Sequence, residues 1–123
     1  MPNPSFIILY VDDPAASAGF YRDLLAREPV DASPTFAMFA LDSGVMLGLW
    51  KHANVEPAAS QKGGGSEVAF TVADAAEVDA THAGWRGRGL KIAQTPTDMD
   101  FGRTFVALDP DGHRLRVFAP AAA

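Results

Sequence analysis

The chain contains one pattern of apolar and polar residues written twice, and this repeat limits its fold more than any other feature. Phe6–Asp13 and Glu67–Asp74 share an apolar run that ends in an acidic residue. Residues 39–50 likewise match residues 106–118, with one extra residue in the second copy. An internal repeat indicates that one supersecondary unit is built twice. Each residue can therefore be compared with its counterpart in the other half.

The first half predicts a strand, a helix and further strands. Phe6–Val11 is apolar and β-branched, which is typical of a buried strand. Asp13 followed by Pro14 predicts a helix start, because Asp accepts backbone N–H bonds at the N-cap and Pro needs no donor at the first position. The remaining predicted strands of this half are a short edge strand at 29–33 and a hairpin at 36–41 and 45–50.

The second half predicts the same plan. Glu67–Val72 is a strand, Asp74 is an N-cap, and the helix should end near Gly87 or Gly89. The remaining predicted strands are 90–94, 103–108 and 113–118. We therefore expect a single domain over 1–123, with one module at 6–53, a Gly-, Pro- and Ser-rich linker at 54–66, and a second module at 67–118.

Alternation divides the side chains of each predicted strand between two faces. One face is uniformly apolar and should pack against the helices. The other face mixes aromatic, small and charged side chains, which is typical of a ligand cavity. The predicted core face carries Ile7, Leu9, Val11, Leu47, Leu49, Val68, Phe70, Val72, Leu115 and Val117. The predicted cavity face carries Phe6, Ile8, Tyr10, Met46, Gly48, Trp50, Glu67, Ala69, Thr71, Arg114, Arg116 and Phe118.

Composition excludes several function classes. The hydrophobic content of 48% is enough for a folded core, and without cysteine there is no disulfide framework and no thiolate nucleophile. A net charge of −5 argues against nucleic-acid binding, because neutralising phosphates needs a basic surface. No apolar run reaches the ~20 residues of a membrane span, so we expect a cytoplasmic protein with no membrane partner.

The order of elements resembles the βαβββ module of the vicinal-oxygen-chelate superfamily, which includes glyoxalases, extradiol dioxygenases and bleomycin-resistance proteins. The Asp109–Gly112 turn is common in that superfamily. Leu47–Trp50 and Thr97–Phe105 resemble more specifically a metal-free branch that includes phenazine-antibiotic resistance proteins, which bind the drug without destroying it. The resemblance implies an α+β fold of two modules, with mixed sheets curling around a cavity, and a homodimer whose pockets use both chains.

In metal-dependent members of the superfamily, each module supplies one ligand from its first strand and one from its last. The resemblance places these positions at Phe6, Gly48, Glu67 and Arg116. Only the glutamate can bind a divalent ion, so we expect no metal and no cofactor. The twin positions of Glu67 and Arg116 predict an ion pair at the place where the metal would lie. We expect His52, His82 and His113 to be structural or solvated.

Aromatic residues dominate the candidate ligand site. Trp50 and its counterpart Phe118 end the last strand of each module, and their rings could stack on a planar ligand. Arg103 could hold a ligand carboxylate, and residues 96–105 read as a loop over the pocket. The other candidate ligand contacts are Phe6, Tyr10, Phe36, Met38, Met46, Phe101, Phe105, Glu67 and Arg116. By contrast, we expect Trp85 in the core.

Two functions follow from these residues. The first is a protein that sequesters a small planar aromatic compound, such as a phenazine-like antibiotic, without catalysing a reaction. The alternative is a metal-independent lyase or isomerase of the same fold, with Glu67 as the base and Tyr10 as a possible donor. An ion pair with Arg116 would make Glu67 a weaker base, which argues against the alternative.

Overall fold

The computed structural model describes residues 2–61 and 63–121. The chain divides between Gly63 and Gly64 into two compact units. Each unit contains one four-stranded mixed sheet and one long helix, in the predicted order. The predicted α+β class with two βαβββ modules is therefore confirmed.

The first unit places its first and last strands side by side in the sheet. Its strand order is β1-β4-β3-β2, in which β1 runs parallel to β4 and the other neighbours are antiparallel. The predicted edge strand is present as β2. The elements are β1 (Phe6–Val11), α1 (Pro14–Leu25), β2 (Asp31–Ala32), β3 (Phe36–Ala40) and β4 (Met46–Lys51), followed by one 3₁₀ turn at His52–Asn54.

The second unit repeats this topology. Its strand order is β5-β8-β7-β6, and β5 runs parallel to β8. The elements are β5 (Glu67–Thr71), α2 (Ala75–Gly87), β6 (Lys91–Met99), β7 (Gly102–Leu108) and β8 (Arg114–Pro120). Residues 55–61 and 63–66, which precede β5, form neither helix nor strand.

Both helices begin at the predicted caps. The Asp13 carboxylate accepts the backbone N–H groups of Ala15 at 3.0 Å and Ala16 at 3.4 Å. The Asp74 carboxylate accepts the N–H of Glu77 at 2.8 Å, and the Glu77 side chain in turn accepts the N–H of the residue before the cap at 3.0 Å. These bonds satisfy donors that have no partner within the first helical turn.

The core of the first unit lies between its sheet and α1. Alternate residues are buried along β3 and at the end of β1, as the strand pattern predicts, while β4 buries the consecutive residues 47–49. Ile7 was assigned to the core, but it is 39% exposed, because burial along β1 begins only at Leu9. The buried apolar residues of this unit are Leu9, Val11, Tyr21, Ala37, Phe39, Leu47, Leu49 and Val55.

An aromatic cluster fills the core of the second unit. Trp85 of α2 contacts the rings of Phe70 at 5.5 Å and Phe105 at 5.4 Å between centroids, both edge to face. His82, one helical turn earlier, contacts Phe105 at 5.3 Å. The prediction that Trp85 belongs to the core is confirmed.

The segment at residues 96–105 is a hairpin, which corrects the predicted pocket-covering loop. Strand β6 continues to Met99, β7 begins at Gly102, and the turn occupies Asp100 and Phe101. Pro96 is tolerated because β6 is an edge strand whose register shifts between Gln94 and Thr97. In the described part of the chain, no helix is long and apolar enough to cross a lipid bilayer.

Candidate functional site

The face of the first sheet that points away from α1 is apolar and rich in aromatic side chains. We call it the aromatic face, and it consists of Phe6, Ile8, Tyr10, Phe36, Met38, Met46, Gly48 and Trp50. Strand register brings these residues together, because Phe6 pairs with Met46, and Trp50 lies between Tyr10 and Phe36. Phe6 is 46% exposed and Ile8 is 45% exposed, so apolar surface remains uncovered within this unit.

Three rings form one end of the aromatic face. The Tyr10 ring meets Trp50 edge to face, with centroids 6.3 Å apart. The Tyr10 ring also contacts the His52 ring edge to face, with centroids 6.3 Å apart. The Nε2 atom of His52 is buried and has no hydrogen-bond partner among the described residues. The sequence predicts no role for His52 at the site, because His52 lies just beyond β4.

Gly48 and Phe36 depend on each other at the centre of the aromatic face. A Cβ atom built on Gly48 would lie 2.8 Å from Cζ of Phe36 and 3.6 Å from the Ile8 side chain. The Phe36 ring therefore occupies the space that a longer side chain at position 48 would need. The centre of this face is therefore aromatic surface without a polar side chain at position 48.

The corresponding face of the second sheet carries a charged cluster made of Glu67, Arg114 and Arg116. Arg116 donates from Nε to Glu67 Oε1 at 2.8 Å and from Nη2 to Oε2 at 3.0 Å. This bidentate pair confirms the ion pair predicted between the twin positions. Arg116 also donates from Nη1 to Thr104 at 3.1 Å and Gln94 at 3.3 Å.

The ion pair changes the acidity of Glu67. The hydrogen bond from Arg116 lowers the pKa of Glu67 below its ordinary value, and the charges of Arg116 and Arg114 act in the same direction against partial burial. A carboxylate with a lowered pKa stays ionised at neutral pH and binds a proton weakly. Glu67 is therefore poorly suited to be the general base that the alternative function requires.

Aromatic side chains flank the charged cluster. The rings of Phe101 and Phe118 meet edge to face at 5.9 Å, and the guanidinium of Arg116 lies 5.9 Å from the centroid of Phe101. An arginine over an aromatic ring gains cation–π attraction. The second unit thus brings together four of the predicted residues, which are Glu67, Phe101, Arg116 and Phe118.

Arg103 and Phe105 lie on the helix side of β7, which corrects their assignment to the cavity face. They share one side of the strand, as predicted, but Phe105 is fully buried against α2. Arg103 donates to Asp79 of α2 at 2.8 Å and to Asp98 at 3.0 Å. These two carboxylates raise the pKa of Arg103. They also accept hydrogen bonds from the guanidinium that the sequence predicts to bind a ligand carboxylate.

The residues at the four metal-ligand positions do not fit a divalent ion. Phe6 and Gly48 offer no donor atom, and Arg116 is a cation bonded to the one carboxylate, Glu67. Within residues 2–61 and 63–121 no three His, Asp or Glu side chains come together as a metal site. His113 lies elsewhere and bonds through Nδ1 to the buried Asp109 at 2.8 Å.

A surface concavity of about 720 Å³ lies on the other side of the first sheet, near the start of α1. It is lined by Asp13, Ser33 and Lys51 among others. The backbone N–H groups of Ala15 and Ala16 are already bonded to Asp13, so this helix end has little capacity left for an anion. The aromatic face and the charged cluster therefore remain the better candidates for a binding site.

Comparison with known proteins assigns the family. The sequence profile of the Glyoxalase/Bleomycin resistance protein/Dioxygenase superfamily matches residues 4–117. The chain belongs to this superfamily. Among curated proteins it is 29% identical over 117 residues to the phenazine antibiotic resistance protein EhpR of Enterobacter agglomerans, covering 93% of this chain and 89% of that protein.

Solved structures share the fold over the whole chain. A protein of Agrobacterium tumefaciens with a solution NMR structure is 54% identical, with a TM-score of 0.92, and covers 99% of this chain and 100% of its own. A glyoxalase/bleomycin resistance protein/dioxygenase from Nocardioides is 26% identical, with a TM-score of 0.86, covering 100% of this chain and 86% of its own. The superfamily fold is therefore established for both halves.

Proposed function

We propose that this protein binds and sequesters a small planar aromatic compound of the phenazine type, and so contributes to antibiotic resistance. The observation that carries the proposal is the aromatic face, where apolar and aromatic side chains remain exposed in the first unit. A surface of this kind is favourable for a flat, apolar ligand and costly to leave in water.

Stacking provides the physical basis for selectivity. Aromatic pairs gain about 0.5–1.5 kcal/mol beyond the burial of their area when they stack offset or meet edge to face. Trp50 is held edge-on by Tyr10 at one side and pairs in register with Phe36 at the other. A planar ligand with several fused rings could use the whole row, whereas a small aliphatic substrate could not.

Two further findings support binding without metal chemistry. The metal-ligand positions hold side chains that do not fit a divalent ion, and the remaining carboxylate is paired with Arg116. In addition, the chain is related over most of its length to a protein named for phenazine antibiotic resistance. Stoichiometric sequestration needs affinity alone, and the arrangement of Glu67 does not favour turnover.

We also propose a cytoplasmic homodimer, with no membrane or nucleic-acid partner. Exposed apolar residues on the aromatic face favour association of this kind. The net charge of −5 disfavours polyanionic partners. Sedimentation equilibrium across a range of protein concentrations tests the dimer, and a monomer at all concentrations would reject it.

The two tryptophans allow a sharp test of ligand binding. Trp50 lies on the aromatic face, while Trp85 is buried among the rings of the second core. Titration with phenazine should quench fluorescence saturably in wild-type protein and in Trp85→Phe, whose only tryptophan is Trp50. In Trp50→Phe, the quenching should disappear.

Calorimetry on the same variants separates binding from its optical signal. We expect Trp50→Ala to weaken phenazine binding by about tenfold, which corresponds to ~1.4 kcal/mol for one lost stacking partner. Trp85→Phe should leave the affinity unchanged. Absence of phenazine binding to wild-type protein below millimolar concentration would reject the proposed function.

A further inference from the structure

We infer that Arg114 selects ligands that carry a carboxylate, and this inference rests on the proposed function. Arg114 belongs to the charged cluster on β8, on the sheet face that points away from α2. The alternation of β8 predicts this face for Arg114, although Arg114 is not among the predicted ligand contacts. The role expected of Arg103 is therefore reassigned to Arg114.

The charged cluster carries one positive charge in excess. It contains two guanidinium groups and one carboxylate. Arg116 uses both oxygens of Glu67 and directs its remaining donors to Gln94 and Thr104. Both carboxylate oxygens of Glu67 therefore accept hydrogen bonds from Arg116, and the excess positive charge of the cluster lies on Arg114.

Arg114 retains donors for an external partner. Its Nε lies 3.1 Å from Oε2 of Glu67, close enough for an ion pair but without the geometry of a hydrogen bond. In the described chain, no protein acceptor hydrogen-bonds to its two Nη atoms, and the side chain is 41% exposed. A guanidinium with two unoccupied parallel donors matches a carboxylate bidentately.

Arg114 lies on the same side of β8 as Arg116 and the aromatic residue Phe118. Phe118 lies on the same side of β8, roughly 13 Å away at ~3.3 Å per residue. Arg116 lies between them on β8, and the residue beside it on the neighbouring strand is Ala69, which has only a small side chain. An aromatic ligand on Phe101 and Phe118 could therefore direct a carboxylate toward Arg114.

At the positions of the charged cluster, the second sheet carries two cations and the first sheet carries none. The counterparts of Glu67, Arg114 and Arg116 in the first half are Phe6, Met46 and Gly48. Each half pairs these positions in the same register, Phe6 with Met46 and Glu67 with Arg114. The repeat thus supplies a neutral replacement for the test, because methionine already occupies the equivalent position.

The test compares two ligands of nearly equal shape, phenazine-1-carboxylate and the neutral phenazine-1-carboxamide, by isothermal titration calorimetry. Wild-type protein should bind the carboxylate at least about tenfold more tightly, as expected for a charge-assisted bond. Arg114→Met should abolish this preference and leave the affinity for the carboxamide within about twofold. Arg114→Lys should retain part of it, because the charge remains without the planar fork.

Arg86→Met serves as the matched control. It removes the same charge from an exposed position in the last turn of α2 and should leave the preference intact. Higher salt concentration should weaken carboxylate binding selectively in the wild type. Equal affinity of wild-type protein for both ligands, or a preference that survives in Arg114→Met, would reject the role of Arg114 while the proposed function stands. Failure of wild-type protein to bind either ligand would reject both.

Discussion

Arg116 donates two hydrogen bonds to the Glu67 carboxylate, at 2.8 and 3.0 Å, on the sheet face that points away from α2. Their pairing followed from the repeat, because both occupy twin positions that the topology brings onto neighbouring strands. A buried or half-buried charge needs a partner, and no other predicted position on that face offered an opposite charge to Arg116. Position and charge together were therefore sufficient to predict a bond that the structure shows at 2.8 Å.

The side of the strand taken by Arg103 could not be predicted in the same way. Alternation shows that Arg103 and Phe105 share a side, but it does not identify which side faces the helix. The structure decides this through Asp79, a residue on α2 that bonds to Arg103. A charged residue at the edge of a core can therefore be assigned wrongly to a cavity when the acidic residue on the helix that pairs with it is not known.

The ion pair predicts a pH-dependent contribution to stability. Because Arg116 lowers the pKa of Glu67, the pair stabilises the folded state above the ordinary value of 4.5 and loses this effect as pH falls through the lowered pKa. Glu67→Gln should therefore reduce the free energy of unfolding by about 0.5–1 kcal/mol at pH 7, the range for a partly exposed pair. Urea denaturation at pH 7 and pH 3 measures the difference.

The urea denaturation of wild type and Glu67→Gln at the two pH values can also contradict this prediction. As pH falls from 7 to 3, Glu67 takes up a proton more readily in the unfolded chain than in the folded protein, so the stability difference between wild type and variant should decrease. A difference that persists undiminished at pH 3 would mean that Glu67→Gln acts through packing and not through charge. Glu28→Gln is the matched control, since it makes the same chemical change at an exposed carboxylate outside the charged cluster.

The bounds of a helix or strand are predicted well where a few neighbouring residues determine them. The N-caps Asp13 and Asp74 place both helix starts correctly, because an N-cap requires only a short side chain beside the first turn. Strand β1 has the predicted bounds for a similar reason. Strand β6 was predicted too short, since Pro96 normally interrupts a strand. The strand continues past Pro96 because β6 lies at the edge of the sheet. The edge position depends on the strand order of the sheet, so the sequence of this segment alone does not reveal it.

Gly102 is predicted to be essential to the β7–β8 pairing. Its φ angle is 138°, and a Cβ atom there would approach backbone atoms of the facing strand, with Ala119 O and Ala121 N the nearest. A side chain cannot rotate away from such a clash. We expect Gly102→Ala to destabilise the protein by at least about 3 kcal/mol, as chemical denaturation would show.

Gly84→Ala is the matched control for this prediction. Gly84 is exposed within α2, and a Cβ atom there would meet no atom within 4 Å. Alanine should increase stability by about 0.5–1 kcal/mol through its helix propensity. Similar effects of the two substitutions would show that glycine content, and not the close approach at Gly102, determines stability.

At the scale of the whole molecule, the repeat predicted two modules but not how their chemistry differs. The first unit presents aromatic and aliphatic side chains, while the second presents charges at the equivalent positions. Duplication fixes topology through patterning, which both halves share. Residues on the helix-free faces are not required for that patterning, so they can diverge and carry function.

Sequestration makes a final prediction about the folded molecule and its ligand. A ligand that binds only the native state stabilises it by RT ln(1 + [L]/Kd), which is about 2.7 kcal/mol at one hundred times Kd. For a domain of this size the expected increase in Tm is about 10 °C. Thermal unfolding with phenazine should show this increase in wild-type protein and a smaller one in Trp50→Ala.

Recovery of the ligand distinguishes binding from catalysis. After prolonged incubation with a stoichiometric amount of protein, mass spectrometry should find phenazine-1-carboxylate chemically unchanged. The reason lies in Glu67, whose carboxylate is held by Arg116 and has little tendency to take a proton. A product that accumulates with time in wild-type protein and not in Glu67→Gln would instead establish an enzyme with Glu67 as its base. Ligand recovered intact together with the increase in Tm would show that affinity alone provides the protection.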